Sequence, residues 1–225
     1  MLGEFLALIS AFIGASSTIL AAKALRKVEP IRSNALKTIF ATVFMLPIAF
    51  ATGEMNDLSK VNVHGVALVI LGGVIGHVIG DTVLFKSIAT TGVSKAYTLS
   101  YTYPLFTVII AVFFLGEPFS LTYLTGTILT VLSIVMVMTE NDKSHRKISS
   151  KSLLMAVATG LLWAVGINMI ALGLRSISVL LAQALRFPVL ALFLLSLSQP
   201  RKKWNVDKQS LIFLSLSGIL GMILS

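Results

Sequence analysis

The sequence predicts an all-α membrane protein that crosses the bilayer several times. Its 225 residues are 56% hydrophobic and only 12% charged, and the mean hydropathy is +0.93. A soluble domain carries about 25% charged residues, so this chain has too few charges to cover a surface that faces water. Long continuous apolar runs recur along the chain, whereas the strands of a β-barrel would give alternating segments of ~10 residues. Helices are therefore the predicted spanning elements.

Eight apolar segments are predicted to cross, wholly or in part, a hydrocarbon core of ~30 Å. They cover 3–25, 33–52, 63–89, 93–115, 119–139, 152–174 and 177–198, and the eighth begins near Ser210. The first segment starts almost at Met1 and carries Glu4 where a signal peptide would carry basic residues, so it is predicted to stay in the protein. A polar linker at 140–151 separates the fifth span from the sixth.

Lysines and arginines are concentrated in every second loop. Nearly all of the 18 follow the first, third, fifth and seventh spans, while Lys60 and Arg175 lie in the other loops. The positive-inside rule then places the basic loops in the cytoplasm and the N-terminus outside. The net charge of +9 is explained by the topology of a multi-pass protein in the cell membrane, and no nucleic-acid partner is expected.

A weak internal repeat relates the two ends of the chain. A shift of 149 positions places the sixth and seventh spans on the first two, and Ala184–Arg186 on Ala35–Lys37. With a shorter loop, glycines of the eighth span also fall on glycines of the third. A repeat unit of five helices is odd, so its second copy enters the bilayer from the opposite side, which gives an inverted-topology repeat.

The predicted organisation is a first five-helix repeat at 1–139, a cytoplasmic linker at 140–151 and a second repeat at 152–225. The second repeat is predicted to be truncated, because its third helix has only about 16 apolar residues and two more helices would have to follow. The chain would then contain about eight of the ten helices that two such repeats require.

Several segments resemble the EamA-like family of the drug/metabolite transporter superfamily. Tyr103–Thr107 and Leu115–Pro118 are similar to the family's proline-bearing fourth helix and to the Gly-Glu corner that follows it. Leu124–Leu129 resembles its glycine-containing fifth helix, and Lys37 and Arg186 are basic residues near helix starts in corresponding spans. The third span resembles its glycine-rich third helix through Gly72, Gly73, Gly76 and Gly80.

The resemblance implies a ten-helix basket around a central cavity. It also implies secondary, non-ATP transport of a small metabolite by alternating access between the two repeats, with amino-acid-like efflux as one form. The chain has no Gly-x4-Gly-Lys-Ser/Thr loop, so ATP-driven transport by this chain alone is not expected. The alternative is a non-transporting membrane scaffold or accessory subunit, which truncation would favour. The expected partners are a small-molecule substrate, the lipid bilayer and a coupling proton or ion, with a homodimer as the candidate assembly.

An enzyme is not expected from this sequence. The chain has no cysteine, which excludes disulfides, thiolate metal sites and cysteine nucleophiles. An intramembrane aspartyl protease needs two aspartates on facing helices, and only Asp81 lies within a predicted span. The three histidines are not accompanied by a paired nucleophile or by further metal ligands. No catalytic residue, metal site or cofactor is therefore predicted.

Ionisable side chains inside the spans are the first candidates for a binding or coupling site, because placing them in a bilayer costs free energy. His77 and Asp81 are four residues apart, share a helix face and are predicted to form a proton-coupling pair. The alternative is a local contact of Asp81 with Lys86 near the interface. Arg186 lies too deep in the seventh span to reach the interface easily. It is a candidate for binding a carboxylate or phosphate, or else for a structural ion pair or a contact with a backbone carbonyl of another helix.

Polar and aromatic residues of the fourth and sixth spans are the second group of candidates. Ser100 and Tyr101 lie on a face that is predicted to line a polar cavity, or else to join an interfacial aromatic belt. Pro104 removes a backbone hydrogen bond, so a nearby carbonyl faces either a ligand or a Ser or Thr hydroxyl. Trp163 and Asn168 are candidates in the sixth span, although an asparagine in a membrane helix also serves as an interhelical hydrogen-bond partner.

Overall fold

The computed structural model describes residues 2–118, 120–139, 150–198, 204 and 206–224, and over these residues the chain forms helices and no strand. The α-helices are α1 (Leu2–Ala24), α2 (Pro30–Ala51), α3 (Val63–Gly73), α4 (Asp81–Thr91), α5 (Val93–Ser100), α6 (Tyr103–Leu115), α7 (Leu121–Thr139), α8 (Ser150–Gly173), α9 (Val179–Leu197) and α10 (Lys208–Gly218). A 3₁₀ helix covers Glu54–Lys60, and π-helices cover Val74–Gly80 and Ile219–Leu224. The basic segments predicted within 140–149 and 199–203 lie outside the described residues.

Helices occupy all eight segments that the sequence predicts as spans. The third span is one helical segment of 29 residues, Val63–Thr91, made of α3, the first π-helix and α4. The fourth span, Val93–Leu115, is divided between α5 and α6. Within the described residues, five segments are long and apolar enough to cross a membrane: Pro30–Ala51, Val63–Thr91, Val93–Leu115, Ser150–Gly173 and Val179–Leu197. The multi-pass helical architecture is confirmed, whereas the count of eight spans, the inverted repeat and the orientation of the termini stay predictions.

The ends of several helices follow directly from local sequence. Pro30 occupies the first turn of α2, where its missing N–H would have had no helical partner. Ser178 caps α9, and its Oγ accepts a hydrogen bond from the amide of Leu181 at 3.3 Å. Gly116 ends α6 with a φ of +69°, a left-handed conformation that favours glycine. The Gly-Glu corner recognised in the sequence is therefore a helix stop.

Side chains are distributed as expected for a helix bundle in lipid. Phe113 and Phe114 of α6 are each 79% exposed, and Met136 of α7 is 73% exposed. In contrast, Ala24 and Ala35 are completely buried. Lipid tails are as apolar as these large side chains, so helices associate instead through small residues that allow backbones to approach closely.

The chain divides into two compact units, and each contains helices from both predicted repeats. The first unit comprises Met1–Ile70 and Gly173–Ser225, and the second comprises Leu71–Leu172. The first unit therefore holds α1, α2, α9 and α10, and the second holds α4 to α7 and nearly all of α8.

In the first unit α2 packs along α9, and α10 packs against both α1 and α2. The Oγ of Ser17 in α1 donates a hydrogen bond to the carbonyl oxygen of Ser217 in α10 at 2.8 Å. Gly218 and Gly221 make this approach possible, since a Cβ on Gly218 would collide with the carbonyl oxygen of Lys37 and one on Gly221 with the Ser17 hydroxyl. The end of α10 and the π-helix that follows it therefore approach α1 and α2 at two positions where an added Cβ would have no space.

In the second unit the helix that contains the first π-helix packs against α8. A Cβ on Gly72 would lie 2.6 Å from the carbonyl oxygen of Gly166, and a Cβ on Gly166 would lie 3.0 Å from the Cα of Gly76. The sequence predicts close helix approach at these glycines, and the structure has it. Further along, Ser87 of α4 donates a hydrogen bond to the carbonyl oxygen of Ser152 in α8 at 2.8 Å. These contacts fix the register of α8 against Asp81.

Candidate functional site

Asp81 occupies the point where the first π-helix ends and α4 begins. Its amide N–H donates to the carbonyl oxygen of Gly76, five residues earlier, which is the bonding pattern of a π-helix. The residue lies about 15 Å from the end of the helix at Thr91, at 1.5 Å per residue, and its side chain is only 5% exposed. A π-turn within an α-helix frequently marks a functional site.

Trp163 of α8 holds the carboxyl group of Asp81. The indole Nε1–H donates a hydrogen bond to Oδ1 of Asp81 at 2.9 Å. Gly80 is required for this approach, because a Cβ there would lie 2.9 Å from Cδ1 of the indole ring. The Thr159 hydroxyl, one turn before Trp163, also contacts the carbonyl oxygen of Gly80 at 3.5 Å. Two sequence candidates, Asp81 and Trp163, are thus brought together directly.

Four aromatic rings form a closed cycle beside Asp81. Ring centroids are separated by 4.9 Å for Tyr97–Tyr101, 5.6 Å for Tyr101–Tyr103, 5.9 Å for Tyr103–Trp163 and 6.4 Å for Tyr97–Trp163. All four contacts are edge-to-face, the arrangement that aromatic pairs favour. The Tyr97 and Tyr101 hydroxyls are also 3.2 Å apart. We call Asp81 together with these four residues the Asp81–aromatic cluster.

A break in the fourth span completes the cycle. α5 ends at Ser100 and α6 begins at Tyr103, with Pro104 in its first turn. Residues two apart in a helix point to different faces, so the Tyr101 and Tyr103 rings contact each other only because the helix is interrupted between them. Gly160 of α8 lies against the break, since a Cβ there would be 2.9 Å from the carbonyl oxygen of Ser100.

Two carbonyl groups that precede this break accept hydrogen bonds from nearby hydroxyls. Ser100 Oγ donates to the carbonyl oxygen of Tyr97 at 2.7 Å, and Thr102 Oγ1 donates to that of Leu99 at 2.9 Å. For the carbonyl of Ser100, four residues before Pro104, the two alternatives that the sequence leaves open stay predictions. Ser100 is completely buried and supports the backbone on which the tyrosines stand.

The remaining candidates lie elsewhere. His77 is half-buried within the first π-helix, one turn before Asp81. Asn168 is buried, and its Nδ2 donates to the carbonyl oxygen of Ala164 in its own helix at 2.8 Å. Arg186 belongs to the first compact unit, is 6% exposed, and its guanidinium carbon lies 5.0 Å from the centroid of the Phe187 ring. No group of three or more His, Cys, Asp or Glu side chains that could bind a metal occurs among the described residues.

Five helical segments long and apolar enough to cross a membrane, one of which holds a buried carboxyl group, define a multi-pass helical membrane protein. Residues 1–139 match the EamA-like transporter family, and because this is more than half of the chain, the chain belongs to that family. The family resemblance seen in the sequence motifs is thereby confirmed.

Two similar proteins are also named as transporters. An uncharacterized transporter of Archaeoglobus fulgidus is 27% identical over 229 residues, which cover 100% of this chain and 78% of that protein. The uncharacterized transporter YvbV of Bacillus subtilis is 28% identical over 141 residues, covering 63% of this chain and 46% of that protein. A solved crystal structure has the same fold, with a TM-score of 0.59 at 19% identity over 96% of this chain and 76% of that one. The family and these relatives point to a transporter rather than an enzyme.

Proposed function

We propose that this protein carries a small metabolite across the membrane without ATP, by alternating access, and that the Asp81–aromatic cluster binds that metabolite. The observation that carries the proposal is the hydrogen bond from the Trp163 indole to the Asp81 carboxyl group beside a π-helix. A charged aspartate at the centre of a membrane helix costs ~2.5–3.5 kcal/mol on insertion scales. A purely structural protein gains nothing from such an aspartate, whereas a site that binds a polar substrate requires a polar group of this kind.

Contacts between glycines support the inverted repeat that alternating access requires. Under the shift of 149 positions Gly166 corresponds to Ser17, and the third and eighth spans align so that Gly76 corresponds to Gly221. In the second unit Gly76 packs on Gly166, and in the first unit Gly221 packs on Ser17. The third helix of each predicted repeat therefore packs on the first helix of the other repeat, as expected for two copies related by a two-fold axis. The two π-helices also begin at corresponding positions, Val74 and Ile219.

The same contacts limit how the protein can move. Because Gly166 lies against backbone atoms of Gly72 and Gly76, the third span and α8 have no space to slide past each other. We therefore propose that alternating access between the repeats keeps these paired helices together and is accommodated at the helix interruptions. The break at Tyr101–Thr102 and the π-helix Val74–Gly80 are such points, and both adjoin the cluster.

A transport assay tests this proposal. The full chain is reconstituted in vesicles without ATP, and counterflow is measured for a panel of labelled amino acids, amines and sugars. At least one compound should exchange faster than in protein-free vesicles. Trp163→Phe removes the N–H donor that orients the Asp81 carboxyl group but keeps an aromatic ring. A hydrogen bond to a charged group is worth ~1.5–3 kcal/mol. If substrate binding depends on this orientation, the apparent affinity of the variant for the exchanged compound should fall at least about tenfold.

The matched control is Asp57→Asn, which removes an exposed carboxyl group that pairs with Lys60 at 2.7 Å in the 3₁₀ helix. It should exchange like wild type, while Asp81→Asn should lose exchange. We also propose His77 and Asp81 as the coupling pair, so His77→Ala should exchange substrate without responding to a pH gradient. If wild type exchanges no compound above the protein-free background, the transporter proposal is wrong and the scaffold alternative is favoured.

A further inference from the structure

We infer that the Asp81–aromatic cluster recognises an alkylammonium group, so that the transported metabolite is an organic cation. This inference rests on the proposed function, because it names the substrate class of the same site. The juxtaposition behind it is a buried carboxyl group bonded to one member of a closed cycle of four aromatic rings.

The rings supply the first half of the recognition. An organic cation is attracted to the face of a Trp or Tyr ring within ~6 Å of its centroid, and the attraction is stronger where water is excluded. Neighbouring centroids in the cycle are only 4.9 to 6.4 Å apart, so a cation can occupy a position that is within ~6 Å of more than one ring centroid. Trp163, the strongest ring type for this interaction, contacts both Tyr97 and Tyr103.

The carboxyl group supplies the second half. The Trp163 indole occupies one position on Oδ1 of Asp81, and a carboxylate offers about four lone-pair sites. An ammonium group can therefore donate to, or lie against, the same carboxylate that the indole orients. Asp81 is 5% exposed, so water screens this attraction far less than it would at the surface.

Other ligand classes fit the same residues poorly. An anion would be repelled both by the carboxylate and by the negative faces of the rings. A neutral apolar ligand has neither a charge nor a hydrogen-bond donor to offer the carboxylate, so burying the two together is unfavourable. A hard metal ion needs six or more oxygen ligands, and the described residues offer no cluster of three or more His, Cys, Asp or Glu side chains. A cation with an apolar surface satisfies both halves at once.

The protein contains its own probe for a binding experiment. Only two tryptophans are present, Trp163 and Trp204, and Trp204 belongs to the other compact unit. A Trp204→Phe background makes Trp163 the sole indole fluorophore. This full-length variant is purified in detergent and titrated with choline, with n-butylamine, and with 3,3-dimethyl-1-butanol, a neutral molecule shaped like choline.

We expect a saturable change in Trp163 fluorescence with choline or n-butylamine, at an affinity at least tenfold tighter than for the neutral analogue. Choline binding alone would identify a quaternary ammonium substrate, and butylamine binding alone a protonated amine. In the same background Asp81→Asn should weaken binding at least tenfold. Equal affinity for the neutral analogue, or saturation by neither cation, overturns the inference.

A second pair of variants tests the rings even where Asp81→Asn does not fold. Tyr103→Phe keeps the aromatic face and should bind within twofold of the parent, whereas Tyr103→Leu should bind about tenfold more weakly. Equal binding by both variants contradicts a role for the ring face. The two proposals can fail separately. Cluster-dependent counterflow of a neutral or anionic compound supports transport and contradicts cation recognition. Binding of a cation without counterflow of any compound supports cation recognition and contradicts transport.

Discussion

Replacing Gly166 by alanine tests the packing that positions Trp163 and Asp81. The added Cβ would lie 2.6 Å from the carbonyl oxygen of Gly72 and 3.0 Å from both Cα and N of Gly76. Overpacking costs about 1–3 kcal/mol, and the upper end applies because every close neighbour is backbone. Alanine recovers ~1 kcal/mol over glycine within a helix, which leaves a net loss of about 2 kcal/mol.

The matched control is Gly126→Ala in α7, where an added Cβ meets nothing within 4 Å. Only the helix-propensity gain of ~1 kcal/mol remains there. At ~2–4 °C per kcal/mol for a chain of this size, Gly166→Ala should melt about 4–8 °C below wild type and Gly126→Ala about 2–4 °C above it. Thermal melts followed by circular dichroism in detergent measure both. A Gly166→Ala melting temperature at or above wild type would refute the packing argument.

Two further predictions concern charge and topology. A hydrogen bond from Ser210 is the main cause that lowers the pKa of Asp207 below its ordinary 3.8, and Lys27 lowers it further. The stability that these two contacts contribute to the folded protein is therefore present at neutral pH and is lost as the pH falls through the lowered pKa. Lys27→Met should therefore melt below wild type at pH 7, and the difference should shrink at pH 3; a constant difference would contradict this origin. For topology, Asn56→Cys should react with an impermeant maleimide added outside intact cells and Ser144→Cys only after permeabilisation, and the opposite pattern would reverse the predicted orientation.

The helices could be predicted from the sequence because hydrophobic length is a local property. The third span, predicted at 63–89, forms Val63–Thr91, and the fourth span, predicted at 93–115, forms Val93–Leu115. Bilayer thickness fixes the length of each run, so every span carries its own signal. The family followed from the same local motifs, since Gly116 and Pro104 do in the fold what their residue types dictate.

The arrangement of the candidate site could not be obtained in this way. Asp81 and Trp163 are 82 positions apart, and neither sequence neighbourhood indicates that one indole would bond one carboxyl group. Helical periodicity places Tyr103 on a different face from Tyr101 and so does not indicate it as a site residue, and only the break between α5 and α6 lets Tyr103 contact both Tyr101 and Trp163. The break itself was signalled by Pro104, so the combination of a proline with flanking tyrosines was the available clue.

The glycine spacing of the third span explains why a π-helix occurs beside the site. Gly72, Gly76 and Gly80 recur every four residues, and in an α-helix of 3.6 residues per turn each such step turns the contact by about 40°. Over the two intervals from Gly72 to Gly80, this rotation would turn Gly80 away from the face of α8 that Gly72 contacts. A π-turn closes its hydrogen bond over five residues instead of four, so it uses more residues per turn and offsets this drift. The π-helix Val74–Gly80 thus keeps Gly80 against α8, where its missing side chain admits the Trp163 indole to Asp81.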